Sequence, residues 1–80
     1  MTYDNRAAGA VIRSLRLERH MTQEMLSGFA GIARTHLTMI ENGQKQASLE
    51  TLWRLAEALG VRPSQLVAKI EADIEENETA

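Results

Sequence analysis

Apolar residues recur three and four positions apart along almost the whole chain and do not alternate in the two-residue rhythm of a strand, so the pattern predicts helices throughout. The first runs from Arg6 to Arg19 with Ala8, Val11, Ile12 and Leu15 on one face, and His20 takes the position that ends it. Thr22 is a helix N-cap residue; Met21 before it can staple against Leu26, and Glu24 complements the positive end of the dipole. Gly31 ends this second helix, because a left-handed turn there lets the chain re-enter a helix within about three residues. A third helix is expected from Ala33 to Glu41. The cluster NGQKQAS is a turn, and Ser48 caps a fourth helix whose Leu49, Leu52, Leu55, Ala56 and Leu59 form the richest apolar stripe, closed by Gly60. Pro63 suits the first position of a fifth helix, which carries Leu66, Val67, Ile70 and Ile74 before a charged end expected to fray.

The second and third helices share a junction. Counted from Gln23, the apolar positions are 4, 8, 10, 15 and 18 (Leu26, Ala30, Ile32, Leu37 and Ile40), with Gly31 at 9 and small Ser27 permitting close approach. That is the packing arithmetic of a helix-turn-helix. A third helix pinned inward by Ala33, Leu37 and Ile40 turns Thr35, Thr38, Met39 and Asn42 outward, with Arg34 and His36 on the flanks. Such a convex polar face fits the major groove of B-DNA, about 12 Å wide. An arginine at the start of this helix can pair bidentately with guanine, and Met39 can touch a thymine methyl. Gln23 stands where a helix N-terminus offers free N–H groups to an anion.

Composition narrows the alternatives. A chain of 80 residues makes one domain, and the absence of cysteine removes disulfides, thiolate metal sites and cysteine nucleophiles, which suits a reducing cytoplasm. No apolar run approaches the roughly 20 residues of a membrane span, and the start lacks the order of a signal peptide. The net charge of −2 is unevenly placed: residues 1–70 hold nine basic and six acidic side chains, whereas residues 71–80 hold five acidic and none basic. The expected division is therefore a helix-turn-helix DNA-binding domain over 1–70, its core at 22–42, and an acidic C-terminal tail over 71–80 that repels DNA on its side. There is no Gly-x-Ser-x-Gly elbow, phosphate-cradling loop or metal-spaced histidine set, so neither an enzyme nor a cofactor or metal is expected.

At IRSLRLERHMTQEML, GIARTHLTMIENG and SLETLWRLAEALGV the chain resembles the Cro and phage-repressor (XRE-type) helix-turn-helix family, over about residues 10–67. In size it looks most similar to the single-domain controller proteins of restriction-modification systems. The resemblance implies an all-α, five-helix, lambda-repressor-like domain acting as a homodimeric, sequence-specific transcriptional regulator. Its pattern gives Gln23 and Asn42 to phosphate contacts and makes Arg34, Thr35 and Met39 base readers; Thr38 shares the base-facing side, and Thr22, His36 and Lys45 join the phosphate set. It also pairs Arg16 with Glu41 as a structural ion pair. Departures are His20 where glycine is frequent, Ser27 where alanine is frequent, and Gly28 inside the second helix, which costs about 1 kcal/mol relative to alanine. Met39 replaces a more usual polar residue.

A symmetric dimer is expected on the fifth helix with help from the fourth, through Trp53, Leu66, Ile70 and Ile74, placing the recognition helices about 34 Å apart. Double-stranded operator DNA is the expected partner, with RNA polymerase or a toxin as further ones, and no membrane. The alternative function is an antitoxin-type interaction module that also binds its operator. A nucleoid-associated, cytoplasmic location follows from either.

Overall fold

Five helices follow one another in the computed structural model, which describes residues 1–79. Helix α1 spans Asn5–Glu18, one residue ahead of its expected limits, because Asp4 takes the N-cap and its Oδ1 accepts from the Arg6 N–H at 2.9 Å. His20 follows in the left-handed region at φ +55°, the conformation that ends this helix and turns the Met21 N–H back to the Arg16 carbonyl at 3.1 Å.

Helix α2 spans Gln23–Ala30 and is capped as expected, with Thr22 Oγ1 accepting from the Met25 N–H at 3.0 Å. Gly31 sits at φ +72°, and the Ile32 N–H reaches back to the Ser27 carbonyl at 3.0 Å, which closes the helix within the turn. Helix α3 spans Arg34–Glu41. Ala33 is its N-cap rather than its first residue; alanine has no side-chain acceptor to offer there, and it is exposed rather than pinned inward.

Helix α4 spans Leu49–Leu59 behind Ser48, whose Oγ accepts from the Thr51 N–H at 3.1 Å. Leu49 departs from the expected stripe: in the first turn it projects to solvent, while Leu55, Ala56 and Leu59 are buried. Helix α5 spans Pro63–Thr79. The expected fraying beyond residue 70 is not what the structure holds. Ile74, one turn beyond Ile70, packs into the core and draws the helix on, so the acidic segment is helical through Thr79; Ala80 lies outside the described residues.

Helix α1 packs against both α3 and α5, and α2 against α3 and α4. Their shared core is built on Ile12, Leu26, Leu37, Ile40, Leu55, Leu59 and Leu66, all fully buried. This arrangement leaves α3 supported from beneath by α1 and α2, with its opposite face uncovered by any described residue. Among the described residues no helix is long and apolar enough to cross a membrane.

Candidate nucleic-acid interface

The sides of α3 are divided by its periodicity. Leu37, Ile40 and Glu41 point into the protein, whereas Arg34, Thr35, Met39 and the C-cap residue Asn42 are exposed. Met39 keeps 39% of its surface open, so a methionine lies among polar neighbours at the middle of the outer face. The Arg34 guanidinium makes no hydrogen bond or ion pair among the described residues, and an arginine left unengaged on a convex helix retains all five of its donors. His36 is half-buried on the flank, and Lys45 stands exposed just beyond α3, where the Gln44 and Lys45 N–H groups both close on the Met39 carbonyl, at 2.9 and 3.3 Å.

The N-terminus of α2 opens beside this face. Thr22 satisfies the Met25 N–H, and the N–H groups of Gln23 and Glu24 have no partner among the described residues. Free N–H groups at the positive end of a helix dipole are an anion site by construction.

Below both elements lies a polar network. Arg16 Nε donates to Glu41 Oε2 at 2.8 Å and Arg16 Nη2 to Glu41 Oε1 at 2.9 Å, a two-pronged pair whose side chains are 9% and 1% exposed. Arg16 Nη1 donates to the Met21 carbonyl at 2.9 Å, and the hydrogen bond to Glu41 raises the arginine's pKa further above its ordinary value, against the opposing effect of burial. Gln23 Nε2 also donates to Glu41 Oε1, at 3.0 Å, and Gln23 Oε1 accepts from the Thr38 hydroxyl at 2.8 Å. No buried side-chain nitrogen or oxygen is left unpartnered among the described residues. The network brings together two residues assigned to DNA from sequence, Gln23 and Thr38, and gives both an internal partner.

One residue in this support went unread in the sequence. Gly9 faces the end of α3 so closely that an added Cβ would overlap the Ile40 carbonyl oxygen and lie 2.6 Å from that of Glu41. A glycine isolated inside a strong helical pattern was its signal, because such a position usually has a packing reason.

The expected dimer residues divide differently. Leu66, Ile70 and Ile74 are 0%, 4% and 7% exposed within the single chain, so they are core rather than interface, a correction that follows from α5 turning them toward α1 and α4. The apolar surface of that region belongs instead to Val67, 47% exposed, and Tyr3, with half-buried Leu52 beside them; together they edge a shallow groove floored by Ile70 and Ile74. Trp53 is exposed, on a separate patch of α4 beside Leu49 and Arg54. Among the described residues no group of three or more His, Asp or Glu is gathered as a metal site would require.

A short helix joined through a glycine turn to a second helix that is held outward by a five-helix core defines a helix-turn-helix protein. The chain belongs to the Helix-turn-helix family, whose profile matches residues 12–66. It is 35% identical over 60 residues to Control protein C.BamHI of Bacillus amyloliquefaciens, covering 74% of each chain. It is also 35% identical over 65 residues to the cryptic phage CTXphi transcriptional repressor RstR of Vibrio cholerae, covering 81% of this chain and 59% of that one. The restriction-modification controller protein C.AhdI from Aeromonas hydrophila shares its fold with a TM-score of 0.75 at 32% identity, covering 78% of this chain and 94% of that one. The expected likeness to phage repressors and restriction-modification controllers is therefore found in both sequence and fold.

Proposed function

We propose that the protein is a sequence-specific, double-stranded-DNA-binding transcriptional regulator that acts as a homodimer, with α3 in the major groove. The observation that carries this reading is the uncovered face of α3, where Arg34, Thr35 and Met39 stand free over a buried support. In this reading Arg34 pairs with a guanine, Thr35 and Met39 touch neighbouring base edges, and the α2 N-terminus at Thr22 and Gln23 holds a phosphate. His36, Asn42 and Lys45 supply further phosphate contacts around the same face. The kinship with a control protein and a phage repressor supports transcription as the process served.

The second copy sits on the groove edged by Tyr3, Leu52 and Val67, which is apolar and lies on α4 and α5 rather than on the DNA face. The patch of Leu49, Trp53 and Arg54 stays open for a protein partner such as RNA polymerase or a toxin. The location that suits this work is the cytoplasm, on the nucleoid, and no catalytic role is assigned.

Selection of bound sequences from random duplex DNA tests binding, dyad symmetry and half-site spacing together. The expected result is an inverted repeat with half-sites one helical turn apart. Arg34→Ala should cost about 1–3 kcal/mol and relax preference at one base pair per half-site. A loss spread evenly over all sequences would make Arg34 a phosphate contact, and no enrichment of any duplex would end the proposal.

A further inference from the structure

The geometry points to Thr38 as a positioning residue: its hydroxyl, held by the Gln23 amide, orients the α2 phosphate clamp instead of reading a base. This rests on the DNA-binding reading and deepens it. The argument runs from charge outward. Glu41 is engaged by Arg16 on both oxygens, and a carboxylate in that pairing only accepts hydrogen bonds. The Gln23 atom 3.0 Å from Glu41 Oε1 must then be the amide nitrogen, which leaves the Gln23 oxygen facing Thr38. A carbonyl oxygen only accepts, so the Thr38 proton points at it across 2.8 Å. A hydroxyl has one proton. Thr38 can share it with the Arg34 carbonyl at 3.0 Å one turn back, but it has none to give to a base.

The consequence for Gln23 is the useful one. An amide nitrogen carries two protons; one goes to Glu41, and the other has no partner among the described residues. The side chain is thus fixed at its oxygen by Thr38 and at its nitrogen by Glu41, with one donor remaining next to the free N–H groups that open α2. A donor already oriented loses less rotamer freedom when it meets a phosphate. Thr38 therefore contributes to affinity through Gln23, and equally for every base sequence.

Thr38→Val removes the hydroxyl at nearly constant shape and Thr38→Ser retains it. On the selected duplex and its single-base variants, Thr38→Val should weaken binding about 3- to 10-fold, by a similar factor on each. Thr38→Ser should recover binding, and Gln23→Ala combined with Thr38→Val should bind no more weakly than Gln23→Ala alone. A changed preference at one base pair, or losses that multiply in the double variant, would overturn the assignment. The free protein supplies a readout separate from DNA: the Gln23 side-chain amide resonances should shift and exchange faster with water in Thr38→Val and stay in place in Thr38→Ser. Unmoved resonances would overturn the assignment whatever happens to binding. Failure of the unmodified protein to select any duplex would instead refute the DNA-binding reading, with the amide resonances still deciding whether Thr38 fixes Gln23. Thermal unfolding of each variant separates lost binding from lost fold.

Discussion

Where α1 meets α3, the contact is made by a glycine against carbonyl oxygens and by a buried polar network; where α4 meets α5, it is made by Leu55, Leu59, Leu66 and Ile70 from the common core. Apolar burial is non-directional and roughly proportional to area, so it secures the second contact without dictating its angle. Hydrogen bonds have narrow distance and angle requirements, and backbone touching backbone leaves no slack. The helix that addresses DNA is held by the directional kind of contact. The other half supplies stability and leaves apolar side chains at its surface for a second copy.

The largest effect is expected from breaking the polar side. Glu41→Ala leaves the Arg16 guanidinium buried without its partner, and removing one member of a buried pair costs about 3–5 kcal/mol. Urea unfolding of the two proteins measures this directly, and a loss below about 1 kcal/mol would show that the pair is dispensable. Arg16→Met with Glu41→Leu sharpens the contrast. Replacing both charges by apolar groups often restores stability, whereas it cannot restore the hydrogen bond to Gln23. The double variant should unfold near the unmodified midpoint and still bind DNA weakly.

A smaller and signed effect comes from the glycines. Gly9→Ala must push α1 off the Ile40 and Glu41 carbonyls, at a cost of about 1–3 kcal/mol that the better helix propensity of alanine only partly offsets. Gly28 meets nothing within 4 Å of an added Cβ, so Gly28→Ala should stabilise by about 0.5–1 kcal/mol. Thermal melts of the two single variants should move in opposite directions; a stabilised Gly9→Ala would mean that the α1 to α3 approach is adjustable.

These contrasts also mark what the sequence disclosed. Periodicity and caps placed all five helices, since Thr22, Ser48, Gly31 and Gly60 act locally and need no knowledge of the fold. The outward set of Arg34, Thr35 and Met39 followed from the same 100° arithmetic. Two things were hidden. Periodicity marks Leu66, Ile70 and Ile74 as apolar but not which neighbour covers them; the length of α5 beside α1 decides that they are internal. Nor can spacing reveal that Gln23 and Thr38, fifteen residues apart, share a hydrogen bond, because it depends on the angle between α2 and α3.

The smallest effect on the fold should accompany a large effect on assembly. Val67 touches the core less than its neighbours Leu66 and Ile70, and a substitution at so open a site changes stability by no more than about 0.5 kcal/mol. Val67→Lys nevertheless places two ammonium groups near each other if a second copy lies across the Leu52 and Val67 groove, and neither could be hydrated there without parting the surfaces. Sedimentation should show the unmodified protein as a dimer at tens of micromolar and Val67→Lys as a monomer of unchanged helix content. Binding to a full inverted repeat should fall while binding to a half-site holds, because α3 and its polar support lie outside the altered surface. If Val67→Lys remains dimeric, the second copy belongs elsewhere, and the patch of Leu49, Trp53 and Arg54 on α4 becomes the surface to alter next.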